Sequence, residues 1–362
     1  MIHFGKISKA TFLSEYWQKK PLLIKQALPN FISPISADEL AGLSLEDDFE
    51  SRLINGSIEH HNWQLTNGPF EEPDFFNLPD KNWTLLVQGV DRFIPEVEHL
   101  IDHFNFIPRW RFDDVMISYA ARGGSVGPHF DYYDVFLLQG TGQRQWHLSD
   151  QFCQLDNYLE STPLRIMKRF EAQQSFVVEA GDVLYIPPKI AHHGVSMSDD
   201  CTTLSFGYRS YTGQEIFENN CPKNFENSYY QDPIWKNDNP SAYIPDSALQ
   251  KANSMAKISA HDFAKFVTSM DTLDQKILQD FEFEQQQLNF SDRTNYRLHA
   301  VCKIAYIKDK DITRFFINGH EFTPQGELDA MIKFCNTRQI DAKKHPHLAQ
   351  ALFATHLISA SA

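Results

Sequence analysis

Basic residues are in short supply: Lys and Arg number 33 against 47 Asp and Glu, for a formal net charge of −14. Nucleic-acid binders depend on Lys/Arg patches that meet phosphates, so this balance argues against a general DNA- or RNA-binding role and suits a basic partner. Cysteine is also scarce. The five present (Cys153, Cys201, Cys221, Cys302 and Cys335) are odd in number, scattered and without C-x-x-C spacing, which indicates neither a disulfide framework nor a zinc site. No run of roughly eighteen apolar residues occurs, so no membrane-spanning helix is expected, and Met1-Ile-His-Phe-Gly-Lys6 lacks the apolar centre of a secretory leader. A reducing cytoplasm is the expected address. Internal repeats, a Walker A loop, G-x-G-x-x-G and a G-x-S-x-G elbow are all missing, which removes P-loop, dinucleotide-binding and serine-hydrolase chemistry from consideration.

What remains is a chain of 362 residues, 42% hydrophobic and 22% charged. These values describe a globular protein of two or three units, each able to bury a core. The most informative residues are His129-Phe130-Asp131, answered downstream by His192. Two imidazoles and one carboxylate can cap one face of an iron(II) ion and leave the opposite positions open for a co-substrate and dioxygen. In extended backbone, residues i and i+2 point the same way. His129 and Asp131 are therefore expected to converge on a metal, with Phe130 on the other side.

The surrounding pattern is one of short strands. Val115–Ala121 reads as a strand, and Arg122–Pro128 as the turn that delivers His129. Asp134–Gln139 and Gln143–Leu148 read as a hairpin about Gly140-Thr-Gly142, with the metal at one end. Ser175–Glu179 and Val183–Ile186 repeat the arrangement around Ala180-Gly-Asp182, and Pro187-Pro188 stops the second strand before His192. Short strands divided by Gly and Pro turns, with ligands at their ends, predict a double-sheet jelly roll of the cupin type. Arg144 follows on the strand after the ligands. A co-substrate that chelates iron through one end and carries a second carboxylate needs a partly buried cation at its far end, and Arg144 is the candidate.

The stretch from Gly123 to Trp146 (GGSVGPHFDYYDVFLLQGTGQRQW), with Gly181 to Pro188 (GDVLYIPP) and His192-His193-Gly194, resembles the JmjC class of iron(II) and 2-oxoglutarate oxygenases. Within that class it is most similar to the bacterial ribosomal oxygenases, and the opening Phe12 to Leu23 (FLSEYWQKKPLL) resembles the start of those proteins. The likeness runs to about Arg209 and more loosely beyond. It implies iron(II) held by His129, Asp131 and His192, and 2-oxoglutarate anchored by Arg144. Ser118 and Ser205 are co-substrate contacts by the same likeness, against the commoner alternative that a strand serine satisfies neighbouring backbone. The family has an acidic residue after the second histidine, where this chain has His193. His192 is chosen by its place two residues before Gly194, and His193 is expected behind the metal or in solvent.

The resemblance further implies hydroxylation of an arginine on a large-subunit ribosomal protein, with 2-oxoglutarate and dioxygen consumed and succinate and carbon dioxide released. A sister group acts on histidine in other ribosomal proteins. Tyr119, Tyr132, Tyr133 and Trp146 flank the ligands, where ring faces could frame a cationic side chain; core packing is the plainer reading in a chain with 29 Phe.

After Arg209 the texture changes to longer polar segments with helical spacing. Ser259-Ala-His-Asp262 reads as a helix cap with Asp in place of Glu, followed by the apolar stripe Phe263, Phe266, Val267 and Met270. The segment Asn237–Pro245 reads as a linker between helical stretches. Ile312–Ile317 and His320–Thr323 read as strands joined by Asn318-Gly319, a type I′ hairpin signal, with helices around Gly326–Asn336 and Pro346–Leu357. The expected organisation is an α+β chain with a mainly β core: a JmjC/cupin catalytic domain over 1–212, a helical region over 213–290 that the resemblance makes a homodimer interface, and a winged-helix-like domain over 291–362. A winged helix invites DNA binding, but the acidic balance favours a protein contact. Two other readings stand beside the hydroxylase: a small-molecule metal-dependent cupin dioxygenase or isomerase, and a non-enzymatic interaction protein on a relict cupin.

Overall fold

The computed structural model describes residues 1–59, 62–220, 250, 254, 258–309, 312–324 and 326–361. The segment read as a linker, Asn237–Pro245, and Cys221 lie outside the described residues. The chain divides into two compact units, Met1–Ser210 and Tyr211–Ala362.

The first unit is built from eleven strands: β1 (Leu22–Ile24), β2 (Ser51–Asn55), β3 (Gln64–Asn67), β4 (Trp83–Val87), β5 (Phe112–Ala120), β6 (Asp134–Thr141), β7 (Gln143–Ser149), β8 (Gln174–Glu179), β9 (Val183–Ile186), β10 (Ala191–Ser196) and β11 (Cys201–Tyr208). They form an eight-stranded sheet in the order β1-β9-β6-β11-β5-β4-β2-β3 and a three-stranded sheet in the order β10-β7-β8. Every pairing between them is antiparallel.

The expected hairpin about Gly140-Thr-Gly142 is not formed. β6 pairs with β11 and β9 in the large sheet, whereas β7 pairs with β10 and β8 in the small one. The chain turns a corner between sheets at Gly142, which has φ +63° and would place a Cβ 2.0 Å from the Asp200 carbonyl oxygen. No other residue fits a left-handed position so tightly closed. A second corner lies at Gly181, between β8 and β9, where φ is +85° and a Cβ would come within 2.3 Å of the Leu28 carbonyl. These two crossings make the strands a jelly roll rather than a pair of hairpins.

Alternation along the large sheet sorts its side chains. Val115, Ile117, Phe136, Leu138, Leu204 and Phe206 face one side, in a cluster with Phe12, Phe104 and Tyr185. Phe136 and Phe206 are fully buried there, each burial contributing about 1.5–3 kcal/mol. The intervening Met116, Ser118, Val135, Leu137, Thr203 and Ser205 face the other side and line a cavity together with β7 and β10 residues. Polar residues are thus concentrated where the two sheets enclose space.

In the second unit, β12 (Asn295–Leu298), β16 (Gln339–Asp341) and β17 (Ile358–Ala360) form one small sheet, and β13 (Ile304–Asp309), β14 (Ile312–Ile317) and β15 (His320–Phe322) another. β14 and β15 are joined by Asn318-Gly319, with φ +50° and +80°, the positive pair a type I′ turn needs. β13 was not anticipated. Helix Ala260–Thr268 is capped by Ser259, whose hydroxyl accepts from the Asp262 N–H at 3.0 Å. Met270, expected in its stripe, lies past the helix end, because Ser269 has extended backbone (φ −67°, ψ 148°). Helices Thr272–Gln285, Leu328–Thr337 and Pro346–Phe353 complete the core around Phe315, Phe334 and Leu352.

Candidate metal and co-substrate site

His129 and His192 are brought together by backbone. The His129 N–H donates to the His192 carbonyl at 3.1 Å and the His192 N–H returns to the His129 carbonyl at 2.7 Å, an isolated antiparallel bridge that sets His129 against β10. Residues paired in this way project to the same side, and the two ring centroids are 4.2 Å apart. Asp131, two residues after His129, joins them: its Oδ2 is 3.9 Å from His129 Nε2 and 3.7 Å from His192 Nε2. Each of the three offers a ligand atom within 4.8 Å of the others, the one such His/Cys/Asp/Glu group among the described residues. Phe130 points the other way, buried with Met167 and Ala191.

The ring orientations suit coordination. His129 Nδ1 lies 3.0 Å from the Gly127 carbonyl, and His192 Nδ1 lies 3.1 Å from the Ile190 carbonyl. A carbonyl only accepts, so both Nδ1 atoms carry the proton and both Nε2 lone pairs face Asp131. Burial, with a contribution from His129, pushes the pKa of His192 down to about 4, so its imidazole is neutral and able to bind a metal.

Arg144 lies on β7 opposite Ser196 of β10 and is 3% exposed. Its Nε and Nη2 are buried without a hydrogen-bond partner, and its guanidinium stands 5.6 Å from the centre of the Trp146 ring. A buried cation with unanswered N–H groups fits an anionic ligand, and two of its donors form the fork that matches a carboxylate. Arg144, His129, Asp131, His192, Ser118 and Ser205 all line one cavity of about 370 Å³.

His193 falls on the opposite face of β10, its ring 6.1 Å from those of His147 and Phe170. It is 8% exposed, so the expectation that it could lie in solvent is not met. Burial and the neighbouring His147 push its pKa down to about 4. Of the flanking aromatics, Tyr133 and Trp146 line the cavity. Tyr119 does not; its hydroxyl donates to the Asp199 carbonyl and its ring packs on Trp83. Sequence reasoning passed over Thr203, which pairs in register with Ser118 and donates to Gln139 Oε1 at 3.2 Å. The signal was there in its alternation with Ser205. Arg52 and Arg165, also on the cavity wall, carried no such signal.

The two-sheet core and this cavity define a JmjC-type jelly roll, and residues 99–216 match the JmjC domain family, the stretch that holds all of the candidate site residues. The chain is 39% identical over 226 residues to the "Ribosomal protein uL16 3-hydroxylase" of Escherichia coli strain K12, covering 61% of this chain and 59% of that protein. It is 41% identical over 207 residues to a "Probable ribosomal oxygenase" of Haemophilus influenzae, covering 56% and 50%. The matches thus span roughly half the length of these relatives. A solved structure of YcfD, described as a ribosomal oxygenase from Escherichia coli in complex with cobalt and 2-oxoglutarate, superposes with a TM-score of 0.73 at 27% identity, over 97% of each chain.

Proposed function

We propose that this chain is an iron(II)- and 2-oxoglutarate-dependent protein hydroxylase acting on an arginine side chain of a large-subunit ribosomal protein. One observation carries the reading: a single cavity holds both the His129, Asp131 and His192 cluster and the buried Arg144 with two unanswered N–H groups. The donor set fits iron(II), and the fork fits the distal carboxylate of a 2-oxo diacid.

In this scheme His129 and His192 would present their Nε2 lone pairs, and Asp131 a carboxylate oxygen, to the metal. Arg144 fixes the far end of the co-substrate, with Ser118 and Ser205 on the facing strands. When bound, iron with 2-oxoglutarate and dioxygen supplies the oxidation: the co-substrate loses carbon dioxide to become succinate, one oxygen atom entering succinate and the other the substrate C–H bond. The protein's own part is to orient these groups and keep the cavity dry, with Leu137, Val135 and Trp146 excluding water.

A ribosomal-protein target is supported by the name of the Escherichia coli relative, and the choice of arginine rests on the resemblance of residues 123–146 and 181–194 alone. The acidic balance suits a basic ribosomal protein. Residues 1–212 serve as the catalytic domain, 213–290 as a homodimer interface, and 291–362 as a winged-helix-like module for protein contact, all in the cytoplasm.

Incubation with iron(II), ascorbate, 2-oxoglutarate and purified large-subunit proteins is expected to give succinate and one added oxygen atom on an arginine. Asp131→Ala is expected to abolish succinate formation and to weaken metal binding by more than the roughly 10–100-fold that loss of an outer partner costs. Oxygen on a histidine would move the substrate to the histidine-directed group. Turnover of small molecules without 2-oxoglutarate would replace the reading with the cupin dioxygenase.

A further inference from the structure

Trp146 sits in the wall between the metal cluster and Arg144 with its indole N–H unanswered. It is 5% exposed, lines the same cavity, and its Nε1 has no hydrogen-bond partner. Buried indole N–H groups usually find an acceptor, because leaving one unpaired away from water is costly.

The ring is held in place. Trp146 pairs in register with Gly194, where an added Cβ would come within 2.6 Å of the six-membered ring, so the indole lies directly on that glycine's backbone. Arg144 is two residues away on the same face of β7, its Cζ 5.6 Å from the ring centre, and the His192 ring is 5.8 Å away on the other strand. A molecule stretched from His192 to Arg144 therefore passes the indole.

We propose that the Trp146 indole N–H donates a hydrogen bond to the distal carboxylate of the bound 2-oxo diacid, completing the seat that Arg144 begins; the inference rests on the function proposed above. A carboxylate has about four lone-pair sites, of which a guanidinium fork fills two. The indole N–H fills a third from a rigid ring, and so fixes how far the carboxylate stands from the metal. Trp146 is thus a co-substrate-binding residue that favours a diacid of one chain length.

The test uses the full chain with manganese(II) in place of iron, and reads binding by titration calorimetry without turnover. Two replacements remove the N–H: Trp146→Phe, and substitution of the indole by the isosteric benzothiophene. The ligands are 2-oxoglutarate and pyruvate, which has the same chelating head and no distal carboxylate. The expected result is that 2-oxoglutarate binding weakens about tenfold, roughly 1.4 kcal/mol, in both replacements, while manganese and pyruvate binding stay the same. Unchanged 2-oxoglutarate affinity overturns the proposal. So does parallel weakening of pyruvate, which would make the ring a packing element only. If Trp146→Phe fails to fold, the benzothiophene protein alone decides. If the unaltered protein binds manganese but no 2-oxoglutarate, the proposed function itself falls and this inference with it.

Discussion

Replacing Arg144 with methionine should raise the stability of the ligand-free protein while destroying the co-substrate site. Arg144 keeps Nε and Nη2 buried and unpaired, and unmade hydrogen bonds of this kind cost about 1–3 kcal/mol each. Its contact with Trp146 at 5.6 Å returns about 0.5–2 kcal/mol. Methionine is similar in length, has no donors to satisfy and adapts to irregular space. With each unmade bond at about 1–1.5 kcal/mol, the low end of that range, and the ring contact at about 1 kcal/mol, the balance favours Arg144→Met by about 1–2 kcal/mol, which for a unit the size of Met1–Ser210 raises the melting temperature by about 2–8 °C. Adding manganese(II) and 2-oxoglutarate should reverse the order. With manganese(II) present for both, 2-oxoglutarate at a hundredfold excess over Kd stabilises the unaltered protein by about 2.7 kcal/mol and the variant by much less. Differential scanning calorimetry of both proteins, with and without 2-oxoglutarate, reads the crossing directly. A variant less stable than the parent without ligand would show that Arg144 is a structural cation. Equal stabilisation of both by 2-oxoglutarate would show that the carboxylate binds elsewhere.

Gly194→Ala should destabilise the first unit by about 1–3 kcal/mol, because the new methyl would come within 2.6 Å of the Trp146 ring and force it to shift. It should also weaken 2-oxoglutarate binding; denaturant midpoints and calorimetry measure the two effects, and an unaffected midpoint would contradict the packing described. Asp91 and Asp114 form a buried acidic pair away from the ligands. Burial and the charge of Asp114 push Asp91 up to about 7, and burial and the charge of Asp113 push Asp114 up to about 6. The folded chain therefore holds protons that the unfolded chain releases near pH 4, so this contribution to stability is full below about pH 4 and is lost as pH rises towards 7. Asp91→Asn keeps an acceptor for the Val115 N–H, which Asp91 Oδ1 receives at 2.7 Å, and removes the titration. Urea midpoints should fall less between about pH 5 and 7.5 in the variant than in the parent; identical slopes would refute the assignment.

The convergence of His129 and Asp131 was legible because it is local. His129 and Asp131 are two residues apart, and the period of an extended chain alone puts them on one side. Arg144 was a candidate because an arginine on the strand after such a motif has an evident use, while its burial is seen only in the structure. Trp146 and Thr203 share the same cavity; Trp146 was read as one of several rings that could frame a cation, and Thr203 was passed over although it alternates with Ser205. The N-terminal strands β1 to β4 carry no motif. β3 is largely exposed, with only Leu65 covered among Gln64–Asn67, so its alternation gives no signal.

The false hairpin between β6 and β7 explains the rest. A turn of Gly140-Thr-Gly142 between two strand-like segments satisfies the local rules for antiparallel pairing, yet the chain crosses to the other sheet. What decides is contact from afar: the Asp200 carbonyl, fifty-eight residues beyond Gly142 in sequence (200 − 142), leaves room only for hydrogen at that corner. That crossing gives the site its reach. Had β7 folded back on β6, Arg144 would lie in the large sheet with Leu137 and Val135. By pairing instead with β10, it faces the strand that carries His192, and Arg144 and His192 share one wall with Trp146 between them. The separation between Arg144 and His192 is therefore set by the register of β7 on β10, Arg144 against Ser196 and Leu148 against His192, and a one-residue slip would turn Arg144 out of the cavity altogether.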